Sequence, residues 1–392
     1  MKLRNLLLST FIIITIIGHA QSKLIISDQI RLPKDSIESL QLISDLNNFI
    51  ISTQKDNKTN KYVLPKESVE TFILIDEFKK IENSNGDETF FKPYLNNITA
   101  IENGKYLIQI SHIGIRDNTP HLRSVFNLIA HKNNDTFLFS SPLINNTTNW
   151  KTITIENFTF NYKNKINHEN ITNYVNLSKE FDKKLNSKGK KTKFYFAKNR
   201  TELLKLIGVD YKIDYNGYPL GVFSAINGNE KLVVFGNKNE HFENFDPHDL
   251  WHDRLSLVIS RRKVNKPVDE ACAYLYGGSW GISWQDIFTR FIEKVAIDKN
   301  ADWKYFKENN ANFGENKSKR LMVDYVITAL IVQKIEKEKG FAGVWELLNS
   351  GKYEKGNENY YTTLEKVIGI SKENYNQEVW KLIKNEQIKN FK

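Results

Sequence analysis

Apolar residues at Leu40, Leu42, Ile43, Leu46 and Ile50 recur close to helical spacing, and Asp35 or Ser36 stands where a cap belongs. The pattern predicts a helix over 33–52 and a second over 68–81. The period then shortens. Residues 105–115, 122–130, 136–139 and 152–162 are β-rich and are separated by Asn, Asp and Gly turn signals. Two helices followed by an antiparallel meander predict an α+β domain of cystatin-like or NTF2-like shape over 21–165.

The polar, aperiodic stretch 164–170 predicts a boundary, with a second domain over 166–392. Its opening pattern gives a helix near 175–186, a strand at 193–197, a short helix at 200–206, and strands at 220–225 and 231–235. Everything beyond Asp246 reads as helical, so this domain is expected to join a small sheet to a helical C-terminal region. The first helix of that region is announced by local signals. Asp246 suits the N-cap and Pro247 the first helical position. His248 and His252 follow, then Leu255, Leu257, Val258 and Ile259, with Arg261, Arg262 and Lys263 expected at the helix end, where cations complement the dipole.

Composition narrows the class. Apolar residues make up 40 % and charged residues 26 % of 392 positions, as in a globular chain with room for two cores. Lys2 and Arg4, the apolar run 6–17 and Gly18-His19-Ala20 predict a signal peptide over 1–20, so the mature chain is expected to be secreted, periplasmic or at the cell surface. No other segment reaches the length of a membrane-spanning helix. The net charge is +10, and its densest run, 182–193, lacks interleaved aromatics and any recognisable binding module. That argues against a nucleic-acid partner. Cys272 is the only cysteine, which excludes an internal disulfide and leaves it a packing role.

The chemistry concentrates in His248-Asp249-Leu250-Trp251-His252 and in Glu270. Histidines four apart on a helix project from one face, and a carboxylate from a second helix can complete a His₂Glu set with one position open. The pair alone is weak, because surface histidines fall at this spacing by chance. Three features add weight. Asp249 follows the first histidine, Asp269-Glu270 arrives after the turn signal Asn265-Lys266-Pro267, and Glu270 opens a run of small and aromatic residues closed by Gly277-Gly278. Small residues there allow close helix approach.

On these residues the stretch 190–392 resembles the peptidase MA-like branch of the gluzincins, the thermolysin-related zinc peptidases. In that group a strand pair precedes an H-E-x-x-H helix, and a later helix supplies a Glu ligand. The order continues here with a helical stretch at 322–337, a short helix at 341–348 and a terminal helix pair at 364–371 and 375–382. The resemblance implies a zincin-like fold, zinc as cofactor, and a peptide or protein as substrate or partner. It implies His248, His252 and Glu270 as metal ligands, Asp249 as general base, and Tyr274 or Tyr276 as a hydrogen-bond donor to the reacting carbonyl oxygen.

The sequence departs from that pattern at Asp249, where the family has Glu. Aspartate has nearly the same unperturbed pKa but is shorter by one carbon–carbon bond, about 1.5 Å. A misplacement near 1 Å can cost about a hundredfold in rate. Two functions are therefore expected: a secreted zinc peptidase with a weakened base, or a zincin-fold protein that binds peptides or proteins without turnover. Elsewhere, Gly277-Gly278-Ser279-Trp280-Gly281 lacks both the P-loop ending and the Gly-x-Ser-x-Gly elbow, and reads as a helix-closing turn. His112, His121 and His131 lack metal-like spacing and read as core or surface residues. His241 precedes the site helix as a loop residue.

Overall fold

The computed structural model describes residues 24–84, 86–309, 311–315 and 319–390, and the signal peptide expected over 1–20 lies outside them. The chain is mixed α+β with two sheets. It divides into two compact units: one comprises the chain up to Ile166 with Lys191–His241, the other Asn167–Lys190 with Phe242–Lys392.

The first unit holds both sheets. Helix α1 (Ser36–Ser52) starts at Asp35, whose carboxylate accepts from the N–H groups of Ile37 and Glu38, and it buries Leu42, Leu46, Phe49 and Ile50. Helix α2 (Ser68–Phe78) is buried along most of its length. The first sheet runs β1 (Ile25–Ile26), β2 (Lys92–Ile101), β3 (Lys105–Arg116), β4 (Thr119–Asn133) and β5 (Thr136–Ser140), with β9 (Val209–Lys212) also paired to β4. Strand β4 is long enough to hold β5 along Ile129–Asn133 and β9 along Ser124–Phe126. The expected meander is present over β3–β5, but its last expected member, 152–162, lies in the other sheet, and β2 was not foreseen. Its Asn96-Asn97 looks like a turn and instead marks a bulge against β3.

The second sheet has the order β10 (Gly221–Asn227), β11 (Glu230–Gly236), β8 (Lys191–Ala197), β7 (Phe158–Tyr162), β6 (Lys151–Ile155). The segment 152–162, read as one β stretch, is the β6–β7 hairpin. Strand β8 lies parallel to both β7 and β11, so strands from either side of the expected boundary share one sheet. The boundary near 165 therefore marks only the first exit from this unit. Residues 191–241 return to it because one apolar core includes Phe78 and Phe126 together with Leu203, Ile207, Leu232 and Val234. Strand partners are a long-range choice that local periodicity does not encode.

Among its described residues the second unit is helical. It contains α4 (His168–Lys184), α6 (Pro247–Ser256), α7 (Lys266–Gly277), α8 (Trp284–Lys294), α9 (Trp303–Glu308), α10 (Val323–Leu348), α11 (Glu358–Ile368) and α12 (Tyr375–Asn390), while α3 (Leu143–Asn146) and α5 (Arg200–Ile207) belong to the first. Helix α10 changes direction at Gly340, where φ is 67°. Helix α7 packs against α6 on one side and α10 on the other. Among the described residues no helix is long and apolar enough to cross a membrane.

Candidate metal centre

Helix α6 begins as its sequence requires. The Asp246 carboxylate accepts from the N–H of His248, and Pro247 fills the first helical position. Leu250, Trp251 and Leu255 are buried, which fixes the rotation of the helix about its axis. His248 and His252 then face the same way, with ring centroids 4.7 Å apart. The helix stops at Ser256, earlier than its apolar pattern suggests, and Arg261 is not at a helix end. The chain turns, and α7 starts after Asn265.

Close approach of α6 and α7 depends on Gly277. A Cβ at that position would stand 2.4 Å from the backbone nitrogen of His248. Gly278 then ends α7 with φ 73°, its N–H donating to the carbonyl of Tyr274. The two glycines close the helix as read from the sequence, and Gly278 has a second use that the sequence does not announce. Its carbonyl oxygen lies 2.7 Å from His248 Nδ1.

A carbonyl only accepts, so His248 Nδ1 carries a proton, and the neutral ring would present its Nε2 lone pair to an ion. His252 is arranged in the same sense, with Nδ1 2.8 Å from Asp269 Oδ1. Asp269 is buried and also accepts from Trp251 Nε1 at 3.1 Å and from Arg261 Nε at 2.7 Å. Both imidazoles therefore turn Nε2 toward a common point. The two Nε2 atoms are 3.1 Å apart, and Glu270 Oε2 stands 3.5 Å from one and 3.6 Å from the other.

These three atoms form a triangular face whose dimensions can be checked. An ion bound tetrahedrally at about 2.0–2.1 Å from nitrogen and oxygen ligands separates neighbouring ligand atoms by about 3.4 Å. The observed edges bracket that value. His248, His252 and Glu270 are the metal-capable group among the described residues. The outward hydrogen bonds of the ring nitrogens to a carbonyl and a carboxylate are those that orient metal-binding histidines. Glu270 is held at its other oxygen, Oε1, by Arg261 Nη2 at 3.2 Å.

Without an ion the cluster is strongly polarised. Burial works to lower the pKa of His252, but its hydrogen bonds to Asp269 and Glu270 and their charges outweigh burial and push it up to about 9. Burial alone would raise Glu270. Hydrogen bonds from His248 and His252, with their charge, instead hold its carboxyl well below the usual range.

A cavity of about 380 Å³ opens onto the face and is lined by His248, Lys266, Glu270, Tyr274, Ser279, Trp280, Arg320, Met322 and Tyr325. Tyr274 and Tyr276, equivalent in the sequence, separate here. Tyr274 lines the cavity, and its hydroxyl accepts from Met322 N at 3.3 Å and donates to the Arg320 carbonyl at 3.4 Å. Burial pushes Tyr274 up to about 12. Tyr276 points elsewhere and donates to Glu336 Oε2 at 2.6 Å. Asp249 is exposed and is not among the lining residues.

Asp269, Arg261, Tyr325 and Trp280 were missed as site residues. The adjacency of Asp269 to Glu270 was the only local signal among them. Of the remaining candidates, Cys272 is fully buried, and burial pushes its thiol up. His112 and His131 are core residues of the first sheet, bonded to Ser124 and Ser140. His241 bonds the carbonyl of Lys165. Compared with protein-family models, curated proteins and solved structures, the chain matches none.

Proposed function

We propose that this chain is a secreted zinc-dependent metallopeptidase-like protein, with the metal held by His248, His252 and Glu270. The reading is supported above all by the 3.1–3.6 Å triangle of ligand atoms. It includes a zincin-like fold for the helical unit and a cystatin-like or NTF2-like shape for the first sheet with α1 and α2. Zinc supplies Lewis-acid activation of water and of a peptide carbonyl at neutral pH. The chain's residues do the rest. Gly278 and Asp269 hold the Nδ1 protons, so each Nε2 would ligate once it gives up its proton and, at His252, its 3.3 Å contact with Arg261 Nη2. Arg261 occupies Glu270 Oε1, so Glu270 would offer its other oxygen, Oε2, to the metal. Asp249 is the carboxylate assigned to accept a proton from water.

A second reading is favoured by Asp249 itself, which is exposed and outside the cavity lining. On that reading the protein binds peptides or proteins at the metal without cleaving them. Zinc-loaded protein and Asp249→Glu are assayed side by side for chelator-sensitive peptide cleavage. Cleavage by the original protein that is lost with chelator supports the peptidase. Activity that appears only in Asp249→Glu identifies a binding protein with a silenced base. Purification without chelator that yields no stoichiometric zinc rules out both readings.

A further inference from the structure

The walls of the cavity differ in charge from its floor. Glu270 is the only carboxylate among the lining residues, and it belongs to the candidate metal face. Two exposed cations, Lys266 and Arg320, line the same cavity. Lys266 lies in the first turn of α7, four residues before Glu270, so the two side chains project from one face of the helix. A cation there is at the end where the helix dipole already places positive charge, an arrangement helix stability disfavours. Arg320 is held at its backbone, where its carbonyl accepts from Tyr274 and, at 3.1 Å, from Trp280 Nε1. Among the described residues neither cation has a carboxylate partner. Glu270 is tied to Arg261, and Glu315, near Arg320 in sequence, to Arg290.

Apart from His248 and Ser279, the rest of the wall is aromatic or apolar. Trp280 adopts φ 56° and is 54 % exposed, while Tyr325 meets Tyr274 edge-on at 5.5 Å and Met322 is buried beside them. A space of this size sits near the lower end of ligand pockets, about 300–1,000 Å³. An anionic group with an apolar neighbour suits both the two cations and the aromatic part of the wall.

We infer that the cavity selects peptides that present a carboxylate beside the bond offered to the metal, with Lys266 and Arg320 as specificity-determining residues. The inference rests on the metal-centre reading above. The carboxylate has two sources, an acidic side chain or a free C-terminus. Hydroxamate peptides bind zinc whether or not the protein turns over, so they report selection independently of catalysis. Two matched pairs, Glu against Gln and free acid against amide, are titrated calorimetrically into zinc-loaded protein.

The acid of at least one pair is expected to bind about tenfold more tightly, and the pair that shows the gap identifies the source. Arg320→Gln and Lys266→Gln should each narrow that gap while zinc stoichiometry stays at one. Equal affinities within both pairs, or a gap that neither substitution narrows, overturn the inference. Zinc held with no hydroxamate bound overturns the inference and leaves the metal centre standing. A protein that holds no zinc removes the metal centre and this inference together.

Discussion

Asp269 Oδ1 stands 2.8 Å from His252 Nδ1 and thereby decides which nitrogen of that ring can bind an ion. Partners of this kind typically alter metal affinity 10- to 100-fold. Asp269→Asn is expected to weaken zinc binding by about that factor, because an amide neither matches the carboxylate's charge nor fixes the tautomer. His248→Ala and Glu270→Gln, which remove ligand atoms, should abolish stoichiometric binding. Competition titration with a chromophoric chelator measures both. Affinity unchanged in Asp269→Asn would remove Asp269 from the site.

The raised pKa of His252 sets the pH dependence. In the metal-free protein a proton sits where the ion would, so zinc must displace it. Apparent affinity should fall about tenfold per pH unit as pH drops below about 9, with about one proton released per zinc at pH 7. Stability of the metal-free form runs in the opposite sense. A folded-state pKa raised from 6.5 to about 9 contributes stability that is complete below 6.5 and is lost as pH rises through about 9. Calorimetry in buffers of different ionisation enthalpy reads the proton count, and a count of zero contradicts the assignment.

Gly277→Ala places a methyl group against the backbone of His248. Overpacking of this kind costs about 1–3 kcal/mol. The strain falls on the α6–α7 contact, so zinc affinity should drop together with the melting temperature. Ala at Gly281, where a Cβ meets nothing within 4 Å but φ is 75°, should lower stability and leave zinc affinity intact. Equal zinc affinity in the two variants would show that helix approach does not control the site.

Helix α6 is also anchored from its other side. Arg254, 1 % exposed, donates through Nε to Asp182 Oδ1 of α4 at 2.9 Å, and through Nη2 to Oδ2. Removing one partner of a buried pair typically costs about 3–5 kcal/mol. Asp182→Asn should lower the unfolding free energy by an amount of that order, read by urea titration. Zinc stoichiometry in the fraction that stays folded should be unchanged, because neither residue touches the ligand face.

Much of this site was legible in the chain. Asp246, Pro247 and the 248/252 spacing are local signals, and they place two histidines on one face whatever the rest of the fold does. Glu270 was legible because small residues and a glycine stop surround it. Arg261 was not, because three cations after an apolar run look like a helix end. Only the early stop at Ser256 turns Arg261 back toward Asp269 and Glu270. Tyr274 and Tyr276 could not be separated without the third helix, which gives one of them Glu336 as a partner. The same reason hid the true extent of the first unit: β8 and β11 read correctly as strands, but nothing near them in sequence names β7 as a neighbour.

The compactness of the candidate centre along the chain has a kinetic consequence. His248, Trp251, His252, Arg261, Asp269, Glu270 and Gly278 all fall within 31 consecutive residues. Closing such a short loop is entropically cheap, and contacts of low sequence separation form early. An ion captured here would act as a staple on a helical hairpin, and would not need the distant strands of the other unit to be in place first. With such an ion bound, metal availability during synthesis would help set how fast the helical unit reaches its native packing.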